Sequence, residues 1–472
     1  MRPFLVAGEH VTSGETREVK NPYSGEVVDE ISVASWGDVE KALGAADQAF
    51  ESTRKQSAYD RSKVLLAAAG AIRMRAEELT RLIVAEGGKP YKNAKVEVAR
   101  AASTLTWAGE EAKRFTGELI RLDTEEAARG RLGVVRKFPL GPVLGIAPFN
   151  FPLNLVCHKV GPALAAGNSI VVKPASATPL SGIALGEILV EAGAAEAISV
   201  LTCSSQDAER AAQDDRIAKI SFTGSTDVGW KLKGLVPRKK VTLELGGNAA
   251  VIVEPDADLD HAAERVAYGG FYQAGQSCIS VQRVLIAKDV YDDFCDRLVP
   301  RVESLVVGDP NNEDTDVGPL IDSDALDRVD QWVQEALSGG AKALCGAKRE
   351  DPCFLPTVLA DVRPGMKVSC NEIFGPVVTV QPYASFDEAL RIANETEYGL
   401  QAGVFTNDVQ KAFLAQREIR VGGVIHNDVS AFRADQMPYG GVKSSGYGRE
   451  GLRYAMDEMS ETRILVLGDI DL

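Results

Sequence analysis

The hydrophobic pattern is most regular after Gly141. Short apolar runs at 143–147, 169–172, 198–201, 217–222 and 241–245 alternate with segments of helical periodicity, such as 179–192 and 227–235. Runs of this length with no polar face read as strands covered on both sides. Their alternation with helices predicts a parallel, doubly wound α/β sheet. The alternation resumes between 249 and about 446, with apolar runs at 249–253, 281–286, 376–380 and 421–426, and predicts a second α/β domain. The first 115 residues read mainly as helices. Between Ser62 and Glu86, the residues Leu65, Ala68, Ala69, Ile72, Leu79, Leu82 and Ile83 keep one helical face until Gly87-Gly88-Lys89-Pro90 stops it. The β-prone stretches on either side of a polar segment in 116–138 predict a hairpin, and the tail from Thr462 is also β-prone. An exposed hairpin edge of this kind favours a partner strand.

A chain of 472 residues exceeds one comfortable core, so two or three domains are expected. The formal net charge of -15 disfavours nucleic acid and anionic membrane surfaces, which require a basic face. No apolar stretch is long enough to span a bilayer, and Met1-Arg2-Pro3-Phe4-Leu5 does not open a secretory leader. The cysteines Cys157, Cys203, Cys278, Cys295, Cys345, Cys353 and Cys370 are odd in number and show no C-x-x-C spacing. With only four histidines, none close to another, this points to a reducing cytoplasmic compartment and to no metal site.

Several strings carry candidate chemistry. Glu244 in Leu243-Glu244-Leu245-Gly246-Gly247 sets a carboxylate beside a glycine turn, and Gly275-Gln276-Ser277-Cys278 sets a thiol among turn residues. A thiol nucleophile and a carboxylate base are the minimum for covalent catalysis through a thioester. Cys295, in step with Tyr291, Phe294, Leu298 and Val302, reads as core, as does Cys157. Cys203, Cys345 and Cys353 fall in loops, and Cys370 is a second candidate nucleophile beside Asn371-Glu372. Asn150, in Pro148-Phe149-Asn150-Phe151-Pro152, is either a turn asparagine or an oxyanion donor. The strand running into Thr223-Gly224-Ser225-Thr226 offers either a helix N-terminus for a pyrophosphate or a helix capped by Ser225 or Thr226. Lys173, closing a strand, is either a donor to ribose hydroxyls or a merely solvated lysine. Gly446-Tyr447-Gly448-Arg449-Glu450-Gly451 matches G-x-G-x-x-G formally, but follows no strand and opens no βαβ unit, so it reads as a turn.

Together and in order, these strings resemble the aldehyde dehydrogenase superfamily. The resemblance runs from Asn21-Pro22-Tyr23-Ser24-Gly25-Glu26 through 148–152, 161–168, 172–175, 222–226, 243–248, 275–278 and Asn371-Glu372-Ile373-Phe374-Gly375-Pro376 to 438–446. It implies a Rossmann-like cofactor domain over 1–120 and 139–246, to which 447–460 returns. It further implies a catalytic domain over 247–446, and a hairpin and tail (121–138 and 461–472) that build a homodimer or homotetramer. Cys278 would attack the aldehyde, with the oxyanion held by the Asn150 amide and the Cys278 N–H. Hydride would pass to nicotinamide, and Glu244 would activate the water that releases the acid. Members that acylate coenzyme A usually lack this glutamate, so hydrolysis is favoured over acylation. A non-enzymatic relative of the fold would be expected to lose the nucleophile, the base or the cofactor contacts, all of which stand here.

Lys159 matches a family lysine that assists proton transfer. For the cofactor, NAD or NADP, the resemblance implies Ile146, Pro148, Lys173, Ala175, Ser176, Gly224, Ser225, Leu245, Glu372 and Phe374. NAD-preferring members often carry a glutamate at the position of Ser176, and a serine there does not repel a 2′-phosphate, so NADP is expected to be accepted. The implied substrate walls are Phe151, Leu155, His158, Ser277, Ile279, Arg433 and Tyr439. Arg433 is either an anchor for an anionic or hydroxylated substrate or the partner of Asp435 or another structural acid. The expected substrate is a short hydroxyaldehyde or semialdehyde, such as lactaldehyde or succinate semialdehyde.

Overall fold

Strands with no polar face are stable only where both faces are covered, and the computed structural model, which describes residues 1–469, buries them in that way. Val143–Ile146, Ile170–Lys173, Ile198–Val200, Lys219–Thr223 and Lys240–Glu244 are buried almost throughout and form the parallel centre of one sheet. Counted in chain order, they run third, second, first, fourth, fifth across it. Antiparallel strands close the edges, with Phe4–Val6 and Glu9–Val11 on one side and Gly446–Tyr447 on the other. The register pairs Ile146 with Lys173 and Phe222, and Thr223 with Glu244, so the predicted site residues stand in a row along one carboxyl edge. The order reverses beside Val143–Ile146, and ligands of such sheets bind at this switch point. The turn carrying Asn150 leaves from there.

The second sheet repeats the plan. Ala249–Val253, Val281–Ala287, Val377–Tyr383, Gln401–Phe405 and Gly423–His426 take the same third-second-first-fourth-fifth order. Thr357–Ala360 and the antiparallel Lys342–Cys345 extend it. Helices cover both faces, among them Leu259–Phe271, which begins at Asp258, whose carboxylate accepts the His261 N–H at 3.1 Å. A third, antiparallel sheet joins Glu118–Arg121, Leu132–Pro139 and Ser460–Leu467. The hairpin and the β tail are thus both present, the first strand beginning at Glu118. Positions 470–472 of the tail lie outside the described residues. No described helix is long and apolar enough to cross a membrane.

Four expectations need correction. The first 115 residues open with strands, Phe4–Val6, Glu9–Val11, Thr16–Lys20 and Val27–Ser32, before the helix Trp36–Thr53. These strands are short, and most of their positions are polar or exposed, so they carry little apolar periodicity. The helix expected over 62–86 is two, Ala58–Met74 and Ala76–Gly87, broken at Arg75. The helix expected over 179–192 is regular only over Leu180–Leu189, and the chain turns out at Gly193 with φ 104°. Cys345 and Cys353 lie on short strands, not in loops.

The segment that delivers Asn150 and Lys159 is clamped from outside. Helix Asn154–Ala166 is buried at every position, and its N-terminus has no cap of its own. The cap comes from Glu97 on helix Tyr91–Arg114, whose Oε1 accepts the N–H groups of Leu153 at 3.0 Å and Asn154 at 3.1 Å. Its other oxygen is paired with Lys89, which also sits 4.1 Å above the Phe151 ring. Both charges are buried, so each depends on the other. Glu97→Ala leaves a buried cation and two N–H groups without partners. It is expected to cost about 3–5 kcal/mol in urea unfolding; a loss below about 1 kcal/mol would contradict the clamp.

Candidate active site

Three consecutive left-handed residues prepare the thiol. Gln273 and Ala274, with φ 53° and 55°, and Gly275, with φ 70°, wind the chain into a turn that non-glycine residues rarely adopt. At Gly275 a side chain is excluded, because a Cβ would stand 2.1 Å from the Gly375 carbonyl oxygen. Gln273 ties the turn to the Asn150 carbonyl, and Gln276 accepts the Ile321 N–H at 2.9 Å. The Asn150 amide donates back to the Gln276 carbonyl at 3.0 Å. The oxyanion candidate and the nucleophile loop are therefore one hydrogen-bonded unit, joining the carboxyl edge of the first sheet to the second.

Cys278 follows this turn, with its Sγ 3.2 Å from the Tyr439 hydroxyl. Burial pushes its pKa up to about 12, with the Glu372 and Glu244 carboxyls adding to the effect and the Tyr439 bond opposing it. Cys278 and Glu244 share a cavity of about 190 Å³, together with Phe151, Leu155, Ser277, Ile279, Arg433 and Tyr439 from the sequence expectation. His158 is not on its wall. The ring lies behind Arg433, 3.4 Å from its Nη2, with the other nitrogen 3.2 Å from Asp435.

Two buried carboxyls in this region have opposite tendencies. Both oxygens of Glu244 are buried without a hydrogen-bond partner among the described residues. Burial, and then the nearby Glu450 charge, hold its pKa well above the carboxylate range. For Glu450 burial acts the same way, but Lys159, Arg433 and His158 outweigh it and keep the pKa low. Its Oε1 lies 3.4 Å from Lys159 Nζ and its Oε2 3.1 Å from Arg433. Lys159 also donates to the Thr223 hydroxyl at 2.7 Å. Arg433 stacks 3.7 Å over the Tyr439 ring. The acid paired with Arg433 is thus Glu450 rather than Asp435, which is taken by Arg100 at 2.7 Å and by His158.

Sequence reasoning missed Glu450. It lies in the glycine string dismissed as a turn. That string forms strand Gly446–Tyr447 against Lys240–Glu244, then left-handed Gly448 and Gly451 on either side of Glu450. Arg100, Arg265, Tyr268 and Tyr272 also line the cavity and were missed, since each sits on a helix or turn whose local pattern looks ordinary.

On the other side of the strand ends, Glu372 Oε1 accepts the Gly247 N–H at 2.8 Å, and burial raises its pKa to about 7. A Cβ on Gly246 would stand 2.5 Å from the other oxygen. Phe374, with φ 49°, meets Phe149 edge-on at 5.8 Å. Ser225 precedes helix Thr226–Leu235 in the cap position yet makes no side-chain cap bond, so the first N–H groups keep their capacity to donate. Gly224 precedes it, and Leu245 packs on Gly229 of the same helix. Lys173 Nζ lies 3.3 Å from the Pro174 carbonyl and 3.4 Å from the Ser176 hydroxyl. Ile146, Pro148 and Ala175, all half-buried, stand on the same edge. Cys370 is exposed at the end of a short helix, away from any such cavity.

Residues 10–465 match the aldehyde dehydrogenase family. The chain is 46% identical to the 3-sulfolactaldehyde dehydrogenase of Priestia aryabhattai, over 98% of this chain and 97% of that one. The crystal structure of aldehyde dehydrogenase 21 from Physcomitrella patens, in complex with the reaction product succinate, superposes with a TM-score of 0.97. It has 43% identity and covers 99% of this chain and 98% of that one. The NADP-dependent glyceraldehyde-3-phosphate dehydrogenase of Bacillus halodurans, complexed with NADP, gives 0.96 and 35% over 99% of both. The chain belongs to the aldehyde dehydrogenase family.

A methyl group on Gly247 would stand 2.2 Å from the Cys278 carbonyl oxygen. Gly247→Ala therefore forces the nucleophile loop to shift by about 1 Å, and kcat/KM is expected to fall about 100-fold with an unchanged circular dichroism spectrum. Activity within about twofold of wild type would contradict the tight approach of the two strings.

Proposed function

We propose that this enzyme oxidises a short aldehyde bearing a distal anion to the carboxylic acid, with NAD or NADP, through a Cys278 thioester hydrolysed by water. What carries the reading is one arrangement. The Cys278 thiol, the unpartnered Glu244 carboxyl and the Arg433 guanidinium line a single cavity. Cys278 Sγ forms a bond to the aldehyde carbon. Its raised pKa calls for a base, and Glu244, whose burial makes its carboxylate more basic than usual, shares the cavity with it. The oxyanion is held by the second amide hydrogen of Asn150 and the Cys278 N–H, a donor of this kind typically contributing about 3 kcal/mol. After oxidation, Glu244 takes a proton from water as it attacks the thioester carbon and the C–S bond breaks. Lys159 and Glu450 lie beyond it and hold the balance of buried charge.

The cofactor half of the site fits a nicotinamide dinucleotide. A helix start with free N–H groups, a lysine and serine at the strand ends, and a carboxyl gripping a glycine turn are donors and acceptors for pyrophosphate and riboses. Bound there, the nicotinamide supplies the acceptor for the hydride leaving the aldehyde carbon. The residues assigned to it are Ile146, Pro148, Lys173, Ala175, Ser176, Gly224, Ser225, Leu245, Glu372 and Phe374. Segments 1–120, 139–246 and 447–460 form the cofactor domain and 247–446 the catalytic domain.

The distal anion is assigned from three cavity arginines, Arg100, Arg265 and Arg433. The names of the relatives support it, since sulfolactaldehyde and succinate both carry an anion beyond the reacting carbon. The three-stranded sheet exposes Leu119, Ile464 and Leu465, which supports assembly as a homodimer or homotetramer; the cysteine pattern, without C-x-x-C spacing, supports a reducing cytoplasmic compartment.

With NADP or NAD and succinate semialdehyde, absorbance at 340 nm is expected to vanish in Cys278→Ala. In Glu244→Gln, turnover is expected to fall about 100- to 10,000-fold. Wild-type kcat is expected to rise with pH above the ordinary carboxylate range, because the active form of Glu244 is the deprotonated one and its pKa is raised. Wild-type turnover in Glu244→Gln, or dependence on coenzyme A, would overturn the proposal. For substrate choice, kcat/KM for succinate semialdehyde over butanal is expected to exceed about 10 and to collapse in Arg433→Leu. An unchanged ratio in that variant would remove Arg433 as an anchor.

A further inference from the structure

Tyr439 touches the reacting sulfur. Its ring is 3% exposed and packs with Ile279 and Leu400, with Cys278 against the same cluster. Its backbone is pinned to the segment that carries Glu450. The Tyr439 N–H donates to the Glu450 carbonyl at 3.0 Å, and the Glu450 N–H donates to the Tyr439 carbonyl at 2.7 Å. The next residue, Gly440, lies so close to Glu244 that a Cβ would stand 2.9 Å from its Oε1. The Arg433 guanidinium covers the ring at 3.7 Å. Held in this way, the hydroxyl stands 3.2 Å from Cys278 Sγ, the one side-chain hydrogen bond that either residue makes among the described residues.

With the thiol neutral, either atom of that pair can donate. Once the sulfur has given its proton to Glu244 it only accepts, so the phenol O–H becomes the donor. The bond is then charge-assisted and stronger than the neutral one, and it favours the thiolate over the thiol. The charged groups around the sulfur are otherwise divided, Glu372 and Glu244 opposing its ionisation and Arg433 favouring it. Burial, and then the Cys278 and Glu244 charges, hold the Tyr439 phenol well above its ordinary range against the pull of Arg433. The phenol therefore keeps its proton and remains a donor throughout. The sulfur carries charge twice in the cycle, when it attacks the aldehyde and when the C–S bond of the thioester breaks. One fixed donor serves both moments.

We infer that Tyr439 is a catalytic residue, its hydroxyl donating to the Cys278 sulfur whenever that sulfur bears negative charge. The inference rests on Cys278 being the nucleophile, and the test separates the two. Tyr439→Phe removes one oxygen and keeps the ring under Arg433. The first readout is alkylation of the full-length enzyme by iodoacetamide at one fixed pH, without cofactor or aldehyde, followed peptide by peptide by mass spectrometry. Labelling of Cys278 is expected to slow about 3- to 10-fold in Tyr439→Phe, the loss of thiolate outweighing the higher reactivity of what remains. The exposed Cys370 is expected to keep its rate. A hydroxyl that merely fills space gives the opposite sign, because its removal opens the way to the sulfur. The second readout is kcat/KM, expected to fall about 10-fold for succinate semialdehyde and for butanal alike, since both react at the same sulfur. Equal or faster labelling of Cys278 in the variant, or a loss of kcat/KM confined to one aldehyde, overturns the role of Tyr439 alone. A wild-type Cys278 no more reactive than the buried Cys157 overturns the nucleophile assignment and this inference with it.

Discussion

The charge on Glu450 sets the electrostatics of the site. A carboxylate with both oxygens buried is stable only with cations against it, and Lys159 and Arg433 stand on either side. Once that negative charge is fixed, a second one nearby is opposed. Glu244, without a partner of its own, is driven toward its neutral form. The site therefore holds one carboxyl whose ionised form is favoured and another whose neutral form is favoured. The thiol is governed separately: its ionisation is resisted by burial and by the Glu372 and Glu244 carboxyls. The protonation states in this region are thus a property of the whole cluster, Lys159, Glu244, Arg433 and Glu450, rather than of any one residue.

The fold makes the cluster possible by meeting three demands at one edge. Parallel strands end together, so Ile146, Lys173 and Phe222 lie in register and Thr223 pairs with Glu244 one residue further on. The turn at the switch point throws Asn150 toward the second sheet, where the Gln273 and Gln276 bonds lock it to the cysteine loop. The strand Gly446–Tyr447 returns from far along the chain and pairs beside Glu244, which brings Glu450 to Lys159. Glu97 and Lys89 fix the one helix that carries Asn154 on its first turn and His158 and Lys159 on the next. Residues remote from the cavity in sequence thereby decide where its charges sit.

How much of this was legible in the sequence followed from the range of the interaction involved. The central strands were readable because an all-apolar run has few other uses, and their observed ends fall within two residues of the expectation at most sites, as with Ala249–Val253. Glu244, Cys278 and Asn150 stood out because glycines and turn residues surround them. The N-terminal strands did not, since Thr16–Lys20 has only Val19 fully buried and gains its strand character from antiparallel pairing with Val27–Ser32. Glu450 was invisible for a related reason. Its importance comes from Lys159 and Arg433, which no local spacing connects to it. For Arg433 the sequence reading left Asp435 or another acid open, and the partner is Glu450, which sequence proximity does not single out.

If the acyl group rests on Cys278 and leaves by a water that Glu244 activates, Glu244→Gln traps it there. The direct measurement is peptide mass spectrometry of Glu244→Gln after prolonged incubation with NADP and succinate semialdehyde, long enough for acylation without the carboxylate base. A succinyl increment on the peptide containing Cys278 is expected to build toward one per chain and to be absent from the wild type treated in the same way. No increment, or one borne by a peptide carrying another cysteine such as Cys370, would contradict that route.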